Sequence, residues 1–292
     1  MPDISLAQLL VQSTAALTAA GQAGARLEAE VLMAFALEKP RSYLYAYPEV
    51  VVSEMHGQQV KALIDERIAG RPIAYLVQER DFWSLPLYVN EQVLIPRPET
   101  ECMVEAVLQL SLPEDSVVVD LGSGSGAIVM ALAVERPAWV CLASDRLAGP
   151  LQVVKKNIDN LLGADAISGN TPEKLPMLLQ AEWLCACAEA CFDLVISNPP
   201  YIEDADPYLD RGDLRFEPRS ALASGADGLG DIRCIAEQAR RSLKLGGYLA
   251  LEHGYAQQQG VVEIVEGAGF EVRELGRDLA GLPRYVIAQS HS

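Results

Sequence analysis

Apolar residues recur at helical spacing through the first 70 residues of the chain. Leu6, Leu9, Leu10 and Ala16 mark one stripe, and Leu27, Val31, Ala34 and Phe35 mark a second. Ser53 stands where an N-cap would open a third helix, running to about Ala69 and ended by Gly70 and Pro72. Residues 82–96 read as a short strand pair with Asn90 at the turn. From residue 99 the pattern changes. A helix over 99–111 precedes the apolar run Val117-Val118-Val119, and further strands are predicted at 140–144, 192–197, 248–252, 270–275 and 285–289. Helices are predicted between them, near 127–135, 150–162, 231–244 and 256–267. Strands alternating with helices imply an α/β fold, a mostly parallel sheet covered on both faces. The chain thus divides into a helical domain over 1–80, a β-hairpin linker over 81–98 and an α/β domain over 99–292.

Composition narrows the partners. Half of the 292 residues are hydrophobic, enough for a large core, yet no apolar run approaches the roughly 18 residues that span a bilayer. The start, Met1-Pro2-Asp3-Ile4-Ser5, lacks the basic residues of a secretory signal, so a soluble cytoplasmic protein is expected, with no membrane partner. The net charge of −17 is uneven: residues 1–85 hold ten acids and seven bases, and the remainder thirty acids and sixteen bases. A surface that gripped nucleic acid would need Lys and Arg to neutralise phosphates, and this one repels them. The six cysteines, at 102, 141, 185, 187, 191 and 234, contain no Cys-x-x-Cys pair. Cys185, Cys187 and Cys191 are close enough to raise a metal site, but small packed apolar residues explain them better, and no metal is expected.

The segment Asp120-Leu121-Gly122-Ser123-Gly124-Ser125-Gly126-Ala127 follows the first strong strand and opens a helix. Glycines there let the chain turn sharply and let a ligand approach the main chain. Asp145 ends the next strand, 19 residues after Gly126, where a carboxylate can bind both hydroxyls of a ribose. A nucleoside-bearing cofactor follows, but Gly122, Gly124 and Ala127 also satisfy a dinucleotide fingerprint, so NAD stays open.

The chemical signature is the strand Phe192-Asp193-Leu194-Val195-Ile196-Ser197 running into Asn198-Pro199-Pro200-Tyr201-Ile202. Such a strand delivers this loop to the C-terminal edge of the sheet, where open α/β folds bind ligands. Each proline has a fixed φ and restricts the residue before it. Neither offers an N–H, so the loop presents acceptors. An amide or aromatic amine is a poor nucleophile because resonance draws its lone pair into the adjoining π system. Two acceptors on its two N–H bonds would orient the nitrogen and turn its lone pair toward a methyl donor, catalysis by positioning and electrostatics. Tyr201 is placed to lie on the flat face of the target group.

The pairing of Asp-Leu-Gly-x-Gly-x-Gly with Asn-Pro-Pro-Tyr-Ile resembles the class I S-adenosylmethionine-dependent methyltransferases that act on planar NH2 groups. Within these, the chain resembles the release factor glutamine methyltransferases. Further matches are Arg67-x-x-Gly70-x-Pro72-Ile73-Ala74-Tyr75-Leu76, Phe82-Trp83, Leu94-Ile95-Pro96-Arg97-Pro98-Glu99-Thr100-Glu101, Phe216-Glu217-Pro218-Arg219, and Leu251-Glu252-His253-Gly254 with Gln257. The similarity spans nearly the whole chain, and Ile-Pro-Arg-Pro-Glu-Thr-Glu is its most specific part.

The resemblance implies a seven-stranded Rossmann-like sheet holding S-adenosylmethionine, and a helical N-terminal domain that helps receive the release factor. Asp120, Gly122, Ser123, Gly124, Ser125, Gly126, Asp145 and Asn198 would bind the cofactor, the turn supporting its methionine portion and Asp145 its ribose. Asn198, Pro199, Pro200, Tyr201 and Ile202 would receive the glutamine of the Gly-Gly-Gln loop, with Asn198, Pro199 and Tyr201 catalytic. The product would be N5-methylglutamine, and the enzyme a monomer. Two positions depart from the pattern. The family usually has glycine where this chain has Gln78, and it often has Asp followed by an aromatic beside the adenine, a place that falls on Asn170 and Thr171 here.

Three other readings share parts of this pattern. An adenine N6-methyltransferase offers a similar NH2 to the same loop, but the acidic catalytic half opposes nucleic acid. A glutamine methyltransferase of a ribosomal protein shares the chemistry, but not the Pro-Glu-Thr-Glu run. A nicotinamide oxidoreductase would use the glycine turn and has no use for Asn-Pro-Pro-Tyr.

Overall fold

The computed structural model describes residues 4–163, 172 and 174–291. They form two compact units, Met1–Glu79 with Gly212–Phe216, and Arg80–Arg211 with Glu217–Ser292.

The first unit is helical. Helix α1 (Leu6–Ala19) opens with a capping box in which the Ser5 hydroxyl accepts from the Gln8 N–H and the Gln8 side chain accepts from the Ser5 N–H. It buries Leu6, Leu9, Leu10 and Leu17. Helix α2 (Ala25–Ala36) forms where its periodicity predicts, but presents a different face. Ala25, Ala29, Leu32 and Met33 are buried, while Leu27 and Phe35 are 52% and 45% exposed. The reason is Glu30, buried on the inward side and held by Arg26, Arg41 and Tyr45, which fixes the rotation of the helix. A short α3 (Arg41–Ala46) leads to α4 (Glu54–Ile68), whose N-cap is Ser53, and to α5 (Ile73–Val77). Arg67 ties the unit together. Its guanidinium donates twice to Glu28 at 3.0 Å, and also to Gln22, Asp213 and the Arg71 carbonyl.

The second unit opens with a hairpin of β1 (Glu79–Phe82) and β2 (Leu85–Tyr88). Its turn lies at Trp83 and Ser84, not at Asn90. Both turn residues have positive φ, 53° and 60°, the backbone of a type I′ turn without its usual glycine. Two distant carboxylates hold it: Glu101 accepts from the Trp83 N–H and Glu135 from its indole, each at 2.7 Å. Asn90 instead braces the chain after the hairpin, accepting from the Gln92 N–H. The hairpin is built into the core of this unit, with Phe82, Leu85 and Leu87 buried there.

Helix and strand then alternate: α6 (Pro98–Leu108), β3 (Val117–Leu121), α7 (Ala127–Glu135), β4 (Val140–Asp145), α8 (Ala148–Leu162), β5 (Met177–Gln180), β6 (Phe192–Ser197), α9 (Gly230–Ser242), β7 (Leu243–Glu252), α10 (Gln258–Gly267), β8 (Phe270–Arg277) and β9 (Pro283–Ser290). The seven strands from β3 onward form one sheet in the order β5-β4-β3-β6-β7-β9-β8, parallel except for the antiparallel β9. Sequence periodicity misses β5, an edge strand whose side chains stay largely exposed and show no alternation. Alternate strand residues serve two cores. Val118, Leu194, Ile196 and Ile287 pack with α6, α7 and α8, and Val119, Val195, Leu249 and Val286 with α9 and α10. Among the described residues no helix is long and apolar enough to cross a membrane, and no cluster of His, Cys, Asp and Glu is placed to hold a metal ion.

The chain builds outward from β3 toward β4 and β5, then restarts at β6. The C-terminal ends of β3 and β6 are therefore the topological switch point of the sheet, the place where such folds open a ligand crevice.

Candidate active site

The glycine turn leaves β3 at that switch point. Gly122, Gly124 and Gly126 have φ of 64°, 54° and 82°, a left-handed backbone that side chains resist. Gly126 also caps α7 so closely that a Cβ would come to 3.0 Å from Val154. The Ser123 N–H donates to the Ser144 carbonyl and its hydroxyl to the Asp120 carbonyl, stitching the turn to the end of β4. At that end, Asp145 accepts from the Leu147 N–H at 2.9 Å and the Gly124 N–H at 3.4 Å, while burial raises its pKa. Asp120 is fully buried. One of its oxygens accepts from the Val129 N–H, and the other has no donor among the described residues. Burial pushes its carboxyl up to about 8.

The same cavity is lined by Asp120, Gly122, Ser123, Gly124, Ser125 and Asp145, and across it by Asn198 and Pro200. Gly126 stands at the root of α7 behind them. Pro199 is buried and, with Tyr201 and Ile202, lies outside the lining. Tyr201 and Ile202 both donate backbone N–H groups to the Leu222 carbonyl, and the Tyr201 carbonyl accepts from Gln257. The Tyr201 hydroxyl points at Glu252, 3.4 Å away. Through its hydroxyl and main chain, Tyr201 braces the loop. Asn198 donates its Nδ2 to Thr100 Oγ1 at 3.2 Å.

Residues that the motifs did not single out complete the walls. Trp183 follows β5 with φ of 50° and faces Gly122, a Cβ on which would lie 3.5 Å from the indole. With Glu182 beside it, the cavity carries an acid followed by an aromatic. Asn170 and Thr171, where that pair was sought, lie outside the described residues. The available signal was the apolar run Met177-Leu178-Leu179 just ahead, which places Glu182-Trp183 at the end of a strand. On another wall Arg97 donates to the buried Glu217 at 2.5 Å, and Glu217 also accepts from the Ile95 N–H, so two of the quoted motifs meet in one ion pair.

The donor set decides between cofactors. Asp145, Glu182 and Asp231 line the cavity along with Asp120, whose carboxyl burial keeps protonated near neutral pH. Against them stand two bases, Arg97, already paired with Glu217, and Arg146. A pyrophosphate would meet these carboxylates unfavourably, whereas an amino acid bearing an ammonium and a sulfonium matches them. A positively charged ligand beside the unpartnered Asp120 oxygen would draw this carboxyl into its ionised form.

Comparison with known proteins agrees with this chemistry. Residues 8–77 match the family model of the PrmC N-terminal domain, and residues 100–211 that of the methyltransferase small domain. The release factor glutamine methyltransferase of Shewanella oneidensis is 44% identical over 241 residues, covering 82% of this chain and 80% of that one. Its counterpart in Escherichia coli (strain K12) is 40% identical over 265 residues, covering 90% of this chain and 92% of that one. That of Vibrio cholerae is 37% identical over 288 residues, 98% of this chain and 97% of that one. Among solved structures, a methyltransferase from Pyrococcus furiosus superposes with a TM-score of 0.51 at 16% identity over 80% of this chain and 98% of that one, which shows the shared fold. By sequence over nearly its whole length, the chain belongs to the release factor glutamine methyltransferase family.

Proposed function

We propose that this cavity directs a methyl group from S-adenosylmethionine to the side-chain amide nitrogen, N5, of the glutamine in the Gly-Gly-Gln loop of peptide chain release factors, and so modulates translation termination. The observation that carries the reading is Asn198 standing across one cavity from the Gly122–Gly126 turn, with its Nδ2 already committed to Thr100. We take the enzyme to act as a monomer in the cytoplasm.

S-adenosylmethionine, when bound, supplies a methyl group on a positively charged sulfur. The turn from Gly122 to Gly126 would hold its methionine portion, Asp145 its ribose and Trp183 its adenine, with Asp120 countering positive charge. The Asn198 oxygen and the Pro199 carbonyl would each accept one N–H of the target amide. That grip holds the nitrogen in place and favours a tetrahedral geometry, which releases the lone pair from resonance. Pro199 and Pro200 fix the backbone that carries both acceptors, so little freedom is lost when the substrate arrives. The amide proton then departs to water.

Incubating a release factor with enzyme and S-adenosylmethionine, then mapping the digest by mass spectrometry, tests this. One added methyl on the glutamine of the Gly-Gly-Gln peptide is expected. Tritiated label appearing on DNA adenine at a comparable rate would favour the adenine N6 reading instead, against which stand the thirty acids and sixteen bases of residues 86–292.

A further inference from the structure

Three side chains from separate elements form an unbroken line from the buried end of β7 to the cavity. Glu252 ends β7 and is 1% exposed; Thr100 sits in the first turn of α6 and is 3% exposed; Asn198 follows β6 and lines the cavity. The Thr100 hydroxyl lies 2.6 Å from Glu252 Oε2, and Asn198 Nδ2 lies 3.2 Å from that hydroxyl. The other carboxylate oxygen of Glu252 takes the Tyr201 hydroxyl.

A threonine hydroxyl has one proton and can donate once. Once ionised, above about pH 7, Glu252 offers only acceptors, and the short contact commits the Thr100 proton to it. Thr100 is then left with lone pairs alone on the side facing Asn198. Only the NH2 end of the Asn198 amide satisfies them. The reversed amide would set two oxygens 3.2 Å apart with no hydrogen between.

We propose that Thr100 and Glu252 are positioning residues that set the polarity of Asn198, so that its oxygen and not its NH2 faces the target amide. The proposal rests on the reading of the site as a glutamine N-methyltransferase. An asparagine cannot choose by shape, because its two ends are nearly the same size. With the wrong end inward, donor would face donor and the target NH2 would be repelled. With the right end inward, the site takes the nitrogen end of a glutamine amide and rejects its carbonyl end. The relay thus gives work to two motif residues, Thr100 and Glu252, that touch no reacting atom.

The test uses the full-length enzyme with Thr100→Val, Thr100→Ser and Glu252→Met. Val keeps the shape of Thr and lacks the proton, Ser keeps the hydroxyl, and Met fills the buried carboxylate site without accepting. Initial rates of methyl transfer to a release factor give kcat and KM, and calorimetry gives the Kd of S-adenosylhomocysteine. Thr100→Val and Glu252→Met are each expected to lower kcat about 10- to 100-fold, less than or equal to loss of a preorganised contact itself. The S-adenosylhomocysteine Kd should stay within about threefold, and Thr100→Ser should return kcat to within about threefold of the parent. Parent-like kcat in Thr100→Val would overturn the relay. So would a Thr100→Val variant that loses S-adenosylhomocysteine binding in step with kcat while Thr100→Ser does the same, since that marks a structural role. A parent enzyme that leaves the release factor unmethylated would overturn the substrate reading and this proposal with it. A parent that methylates alongside an unimpaired Glu252→Met overturns the relay alone.

Discussion

Gln78 ends α5 at φ 56°, ψ 30°, a left-handed conformation that costs an L-residue about 1–2 kcal/mol and glycine far less. This accounts for the glycine that the resemblance leads one to expect there, and the Gln78 side chain is exposed. Gln78→Gly should therefore raise stability by about 0.5–1 kcal/mol, read as a higher urea midpoint with unchanged slope. Asn198 is the opposite case, a residue whose loss should spare the fold and remove the chemistry. Asn198→Ala should lower kcat by about 10²–10³ while S-adenosylhomocysteine affinity changes little. Parent-rate methylation by that variant would refute the role given to the loop. At this scale the sequence was half legible. Asn198 and the turn glycines stand in contiguous motifs. Thr100 and Glu252 stand in motifs too, but neither motif shows their link, which spans 152 residues and exists only once α6 and β7 meet.

The elements near the site are tied by a single buried side chain on α8. Asn157 accepts from the Tyr88 N–H at 2.7 Å and donates to the Tyr88 and Ser125 carbonyls at 3.0 and 2.9 Å, joining β2 and the glycine turn to one helix. Asn157→Ala should leave these groups unsatisfied in a site with no exposure, at a cost of about 1–3 kcal/mol for each one that water cannot reach. Its thermal midpoint should fall, and S-adenosylhomocysteine should bind more weakly because the turn is no longer held. A variant that matches the parent on both counts would show the clamp to be dispensable. Elements were legible wherever burial shapes the pattern. The strands of the parallel sheet read as apolar runs bounded by turns, since both of their faces are covered. The edge strand β5 lacks that pressure and leaves only the short run Met177-Leu178-Leu179, without alternation of burial. The hairpin turn was misplaced because Trp83 and Ser84 carry no turn signal of their own and rely on Glu101 and Glu135, 18 and 52 residues away.

Across the whole molecule, two buried acids set how stability follows pH between 5 and 8. They outweigh His253, whose pKa burial lowers and which gains stability as pH rises toward 6.5. Asp120 is raised from 3.8 to about 8 and Glu252 from 4.5 to about 7, both chiefly by burial. In that range the folded protein holds protons that the unfolded chain has released. Their contribution is complete below the unfolded values and is lost as pH climbs through the folded ones, with a slope of up to about 1.4 kcal/mol per pH unit for each group. Cofactor-free enzyme should thus become less stable from about pH 5 to pH 8, and Asp120→Asn should flatten the decline, as urea midpoints at successive pH values would show. A parent whose midpoint rises over that interval would contradict the assignment. The division of the chain has a different kind of consequence. Gly212–Phe216 belongs with the helical unit, although the residues on either side of it belong to the other. The polypeptide therefore crosses between the units three times, and the helical unit is not a contiguous module. A chain emerging from the ribosome completes Arg67 long before Asp213, its partner 146 residues later. Until then Arg67 has Glu28 as its carboxylate partner among the described residues, and the helical unit gains its last segment only after β6 has been made. A gene cut at Glu79 would encode a helical unit lacking that piece.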